Sequence, residues 1–217
     1  MTTPRDWMFA LLIVIALPVR ANDIIEALGY KWVVPNASDW KSEENEGIAV
    51  LHLIAARGPL PGPRRPIQFA VAQTPEFQRV TLDLDARPLE KSLVIVFAYR
   101  DDAHFDYAHL SIDRATSEPH HNGIFHVYGG ERVRISDESG PAAFSVTKRW
   151  FHVRLTYDGK SGSVEVLVDG KAIPSLHAID LSLHSGKVGV GSFDETADFK
   201  NIKIEGVPAE ESQSGSK

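Results

Sequence analysis

From residue 48 to residue 205 the chain is cut into short apolar or alternating runs, and none of them sustains a helical repeat. The runs cover residues 48–55, 67–72, 77–85, 92–99, 107–112, 124–128, 133–135, 150–157, 163–168, 187–192 and 199–205. Each has the length of a strand. Between them stand "ARPLEK", "YGGE", "YDGKSGS", "VDGKA" and "LHSGK". Asp-Gly and Gly-Gly supply the positive φ that tight hairpin turns need, so hairpins are expected around Asp158-Gly159 and Asp169-Gly170. Many short strands with almost no helix predict an all-β domain over residues 47–207, a jelly-roll sandwich of two antiparallel sheets. Residues 22–46 ("IIEALGYKW", "NASDWKSEENEG") read as a lead-in, a short helix or irregular piece followed by a loop. Residues 208–217 read as a disordered tail.

The first 21 residues read differently. Arg5 precedes an apolar run from Trp7 to Leu17, then Pro18 and Val19-Arg20-Ala21. The run is about half the ~20 residues a spanning helix needs. Small residues at the two positions read by a signal peptidase predict a signal peptide cleaved after Ala21, with an uncleaved anchor as the alternative. The expected location is secreted or periplasmic, with no stable membrane insertion after cleavage. The chain has 23 Lys and Arg against 29 Asp and Glu; without Arg5, Arg20 and Asp6 it keeps 21 against 28, a net charge of −7. Such a balance disfavours nucleic acid as a partner. With no cysteine, the domain has neither disulfides nor thiolate chemistry, and its core must hold it together.

Alternation assigns faces. In "WFHVRLTYD" Phe151, Val153, Leu155 and Tyr157 share one side and His152, Arg154 and Thr156 the other; in "SVEVLVDG" the apolar row is Val164, Val166 and Val168. Residues 106–135 are unusual, holding four of the nine histidines with His104 just upstream. Here Ala108, Leu110, Ile112, Phe125 and Val127 read as the core row. Tyr107, His109, His126, Tyr128 and Arg132 read as a wet row on one surface, with His120, His121 and Asn122 in the connection.

The stretches "RWFHVRLTYDGKSGSVEVLVDGKAIP" and "GKVGVGSFDETADFKNIKIEG" resemble the closing half of concanavalin A-like jelly-roll domains. That superfamily includes laminin-G-like modules, glycoside hydrolase family 16 and the 3-keto-disaccharide hydrolase domain. The resemblance spans residues 48–206 and implies the fold. The Glu-x-(Ile/Val)-Asp-x-x-Glu run of family 16 has no counterpart, because Glu165 and Asp169 of "EVLVDG" belong to a hairpin. The stretch "YAHLSIDR…HHNGIFHVYGGERVRI" resembles bacterial secreted members, and implies compartment rather than role.

The wet row matches the residue types with which jelly-roll sheets hold carbohydrate. Aromatic rings stack on sugar C–H faces, while arginine, asparagine and histidine hydrogen-bond hydroxyls or a uronic carboxylate. Tyr107, His109, Asn122, His126, Tyr128 and Arg132 are therefore candidate glycan-binding residues, against the plain alternative of a solvated sheet face. A second reading is an enzyme on the same face, a polysaccharide lyase or 3-keto-glycoside hydrolase. His109 or His126 would then be the base and Tyr107 or Tyr128 the acid. A third is a protein-interaction module. No cofactor is required, although His109, His121 and His126 could gather around zinc, and Asp194, Glu195 and Asp198 could hold calcium or form a solvated acidic loop. "RGPLPGPRRP" (57–66) reads as a stiff connection or a basic clamp. Trp32 and Trp40 read as sugar platforms or as packing, and Trp150 as part of a core strand.

Overall fold

A computed structural model describes residues 22–58 and 62–210. One sheet runs, in spatial order, β1 (Asp23–Ala27), β2 (Tyr30–Val34), β5 (Gln68–Ala72), β14 (Lys187–Ser192), β7 (Ser92–Asp101), β8 (His104–Ser111), β9 (Gly123–Tyr128) and β10 (Glu131–Arg134). The other runs β13 (Lys171–Ile179), β12 (Ser163–Val168), β11 (Phe151–Asp158), β6 (Phe77–Pro88), β15 (Ala197–Pro208), β4 (Ile48–Leu53) and β3 (Trp40–Asn45). Neighbouring strands pair antiparallel, and the two sheets close on one apolar core as a β-sandwich. The last two strands in sequence, β14 and β15, sit inside their sheets, between β5 and β7 and between β6 and β4. Among the described residues no helix is long and apolar enough to cross a membrane.

The core follows the alternation. Phe151, Val153, Leu155 and Tyr157 are buried, and Val153↔Val168, Leu155↔Val166 and Tyr157↔Val164 pair across β11 and β12. Leu93, Ile95, Phe97, Ala108 and Leu110 meet them from the other sheet, with the Phe97 and Tyr157 rings 5.3 Å apart. Each fully buried Leu, Val or Phe contributes about 1.5–3 kcal/mol. Trp32 and Trp40 belong to this core, and the Trp32 indole N–H donates to the Ala27 carbonyl at 2.9 Å.

Residues 22–46 hold one short 3-10 helix, Ala37–Asp39, but are otherwise built mainly of strands rather than an irregular lead-in. They supply β1, β2 and β3, and β3 pairs with β4 along its whole length, so no boundary falls at residue 47. The misreading comes from two turns. Leu28-Gly29 (φ 55° and 79°) and Glu46-Gly47 (φ 52° and 77°) adopt the same double positive-φ turn as Gly129-Gly130 and Asp169-Gly170. Leu and Glu seldom take this conformation, so neither pair signals a hairpin. Strand β13 also goes unannounced, because Pro174 and a register shift against β12 break its pattern. The hairpin after Asp158 closes as Asp158↔Ser163, with Gly162 rather than Gly159 at positive φ. The expected signal peptide (1–21), the middle of the proline-rich connection (59–61) and the end of the tail (211–217) lie outside the described residues.

The outer faces differ. That of the seven-stranded sheet is charged: Arg154 meets Asp83, Arg79 meets Asp158, and His152 lies between Asp83 and Asp85. Trp150 turns outward here, with Arg87 and Lys200 over its ring, instead of joining the core. That of the eight-stranded sheet carries a second apolar layer of Phe69, Val71, Val94, Val96, Phe105, Tyr107, Phe125, Val127 and Phe193.

Candidate functional site

The register of β8 against β9 divides the expected wet row. Tyr107 pairs with Phe125 and therefore shares its face, the outer one, while His126 pairs with Asp106 on the inner side. Ile124, not Phe125, is the residue of β9 that packs with Ala108 in the sandwich core. Tyr107, His109 and Arg132 thus lie on one side of the sheet, and His126 and Tyr128 on the other.

On the outer side the aromatic layer forms a floor and arginines lie over it. The Arg132 guanidinium sits 4.9 Å from the Phe193 ring and 5.7 Å from that of Phe125, and donates to the Tyr107 hydroxyl at 3.3 Å. Arg64 lies 5.2 Å above Phe193 and donates to Asp194 Oδ2 at 3.0 Å. Arg134 is structural: it donates to the carbonyls of Pro119, His121, Asn122, Ser136 and Asp137, and so ties loop 113–122 to β10. Between loop and floor a pocket of about 250 Å³ is lined by Arg64, Arg132, His121, Glu118, Phe193 and Asp194, with His109 at its back.

His109 and Tyr107 are part of the wall. His109 is 2% exposed. Its Nδ1 lies 2.9 Å from the His120 carbonyl and its Nε2 2.9 Å from the Ser92 hydroxyl. A carbonyl only accepts, so Nδ1 carries the proton and Nε2 accepts from Ser92. Burial, aided by the neighbouring His121, pulls the imidazole down to about 3, which keeps it neutral. Ser92 also lies 2.9 Å from Glu195, whose carboxyl is raised by burial. Tyr107 is fully buried and pushed up to about 12 by desolvation.

Asn122 is a corner piece. Fully buried at φ 48°, it donates to the Pro141 carbonyl and Ser175 Oγ and accepts from the Ala143 N–H. The three carboxylates considered for calcium face separate partners: Asp194 meets Arg64, Glu195 meets Ser92, and Asp198 meets His52 at 2.6 Å and Arg87 Nε at 2.7 Å. The His109 and His121 rings lie 4.8 Å apart, but His126 is across the sheet from them.

On the inner side, His126 Nδ1 lies 2.6 Å from Asp106 Oδ1 and 3.0 Å from Asp180 Oδ2. Asp106 is 1% exposed, and burial raises its carboxyl to about 6 against the pull of His126; the same hydrogen bond raises His126. Asp180 sits in the turn after β13, its Oδ1 accepting from the backbone N–H and hydroxyl of Ser182 at 2.8 and 2.6 Å. That turn is seated by the β11–β12 hairpin, where the Asp180 N–H donates to the Gly162 carbonyl at 2.9 Å. A Cβ on Gly162 would stand 2.4 Å from the Asp180 carbonyl oxygen, so a side chain there would push the turn away. Tyr128, 63% exposed, stacks beside His126 with ring centroids 6.0 Å apart.

Sequence reasoning therefore missed Phe193, Asp106 and Asp180, and offered Arg64 only as part of the basic connection 57–66. Asp106 carried a usable signal, a lone acid inside the apolar run of β8, which in a strand buried on both faces must be paired.

No protein-family model matches the chain and no curated protein sequence is similar to it. Solved structures are similar in fold. The carbohydrate-binding module CBM66 from Bacillus subtilis superposes with a TM-score of 0.57 at 14% identity, covering 80% of this chain and 94% of the module. A putative glycosyl hydrolase from Parabacteroides distasonis gives a TM-score of 0.52 at 16% identity over 79% of this chain and 92% of that one. The GH43 protein BlXynB from Bacillus licheniformis gives 0.54 at 10% identity over 88% of this chain and 40% of that one. At such identities the likeness is one of fold.

Proposed function

We propose that the chain is a secreted carbohydrate-binding module that recognises an acidic glycan in the pocket beneath Arg64 and Arg132. The observation that carries this reading is the pair of guanidiniums held over one ring, Phe193, at the mouth of a pocket of about 250 Å³. Phe193 is 4% exposed and has no free face for a sugar. Its role is to hold the two guanidiniums in place, so that less freedom is lost when they bind a carboxylate. A sugar carboxylate would accept the paired N–H groups of Arg132, and His121 and Glu118 would meet ring hydroxyls. In a chain of net charge −6, a local basic pocket selects for a single anionic group rather than for a polyanion. Among the similar structures, one is described as a carbohydrate-binding module and another as a putative glycosyl hydrolase, which supports the same ligand class. Recognition fits better than catalysis, because His109 and Tyr107 are buried and already hydrogen-bonded.

The test is a glycan array followed by calorimetry on any hit. Oligosaccharides containing uronic acid should bind and their neutral counterparts should not. Arg132→Lys keeps the charge and removes the planar fork, and should weaken binding by about tenfold, which corresponds to about 1.4 kcal/mol. Equal binding of neutral and acidic sugars, or full affinity in Arg132→Lys, would overturn the proposal.

A further inference from the structure

We infer that Asp106, His126 and Asp180 form a binding site for one zinc-class divalent cation, separate from the glycan pocket and on the opposite side of the eight-stranded sheet. One imidazole nitrogen and one oxygen from each carboxylate lie within 4.8 Å of one another, the only such group of three among the described residues. Two of the ligands are fixed by register, since Asp106 and His126 are cross-strand partners on β8 and β9. The third comes from the turn that the β11–β12 hairpin seats, with Asp180 Oδ1 held by Ser182 and Oδ2 turned toward His126. The ligands are thus held on three elements before any ion arrives.

The hydrogen-bond inventory supplies a second and independent observation. Both carboxylates converge on the same ring nitrogen, which has at most one proton to give. Asp106 Oδ2 and Asp180 Oδ2 are buried without a hydrogen-bond partner, and Asp106 is 1% exposed. Two carboxylates facing one imidazole leave uncompensated negative charge, with one oxygen of each acid closed to solvent, and buried charge of this kind is paired or coordinates a metal. A dication would take one oxygen from each acid and the ring nitrogen together.

Size and chemistry favour zinc over calcium. Calcium takes six to eight oxygens, whereas this group offers three ligands, one of them an imidazole nitrogen, all of donor types that zinc accepts in a four-coordinate site. Around a tetrahedral ion with ligand distances of about 2.0–2.1 Å, neighbouring donors stand ~3.3 Å apart. The present separations of 2.6 and 3.0 Å lie within about 0.7 Å of that value. Ser182 Oγ, 3.4 Å from both ring nitrogens, lies where it can support the fourth position.

The experiment is titration of the chelator-treated chain with zinc chloride, read by calorimetry, by bound zinc per chain and by thermal unfolding. One equivalent should bind and raise the melting temperature, with calcium chloride having a much smaller effect. Asp180→Asn changes a turn residue and should fold. It should lose affinity by more than the roughly 10- to 100-fold that removal of an outer hydrogen-bond partner costs. His152→Gln, which alters the exposed histidine between Asp83 and Asp85 on the other sheet, should keep full uptake. The ¹⁵N resonances of the His126 ring in the unaltered chain provide a readout that needs no variant, and they should shift on zinc addition. Absence of zinc uptake, uptake unchanged in Asp180→Asn, or an unmoved His126 ring would each overturn the inference.

Discussion

The two outer faces of the sandwich use arginine in opposite ways. On the seven-stranded sheet Arg154, Arg79 and Arg87 each meet a carboxylate, Asp83, Asp158 and Asp198, so cation and anion balance across neighbouring strands. On the eight-stranded sheet Arg64 has Asp194 beside it, but Arg132 meets rings and a hydroxyl instead of a carboxylate, and its charge is held in place without being neutralised. One face is a closed electrostatic account, which explains how many ionic side chains coexist on it without specifying a partner. The other keeps a positive charge rigid and available, which is what recognition of an anion needs. Charge content alone does not mark a binding face; the nature of the neighbour does.

The contrast can be broken most strongly at the aromatic floor. Phe125 is buried beneath Arg132 and Arg134 and stacks on Tyr107 at 5.1 Å, so Phe125→Ala should cost about 3–5 kcal/mol in a urea denaturation series. A loss under 1 kcal/mol would mean that the outer layer is surface decoration rather than a second core.

The buried wall of the pocket should respond to acid. His109 is depressed to about 3 in the folded chain and titrates near 6.5 when unfolded. The unfolded state therefore binds a proton that the native state refuses. Stability is fully present above about pH 6.5 and falls as pH drops from there toward 3. Between pH 6.5 and 5 the loss should approach about 2 kcal/mol, and His109→Gln should abolish that part of the slope. Parallel pH profiles in the two proteins would show that His109 is not held neutral.

The smallest effect belongs to the charged face. A double-mutant cycle on Arg154 and Asp83, an exposed pair at 2.5 Å, should return a coupling of about 0.2–1 kcal/mol that shrinks as salt is raised. A larger, salt-insensitive coupling would mean that this face too is rigidly organised.

Most of the sheets can be read directly in the amino-acid sequence, because β6, β11 and β12 alternate cleanly and the turns after β11 and β12 contain Gly and Asp. What could not be read has specific causes. Leu28 and Glu46 take a turn conformation their side chains disfavour, so three N-terminal strands looked irregular. Strand β9 is apolar at both Ile124 and Phe125, since its sheet is covered on both sides. Hydrophobicity then cannot set the phase of the strand, and only its pairing with β8 does. That single-residue ambiguity merged two sites into one, placing His126 with Tyr107 when it belongs with Asp106. Arg64 and Phe193 come from distant loops, and Asp180 from the turn after a bulged strand, so no local pattern could have joined them to residues 106–135.

The central positions of β14 and β15 bear on how such a chain is made. Until residues 187–208 are available, β5 has no link to β7 and β6 has none to β4, and each sheet stays in two pieces with open hydrogen-bonding edges. Pairings this distant in sequence bring slow folding and a period of exposure to wrong partners. The same delay means that residues 22–186 can all be synthesised before either sheet locks, so that this stretch of the nascent polypeptide stays open and extensible.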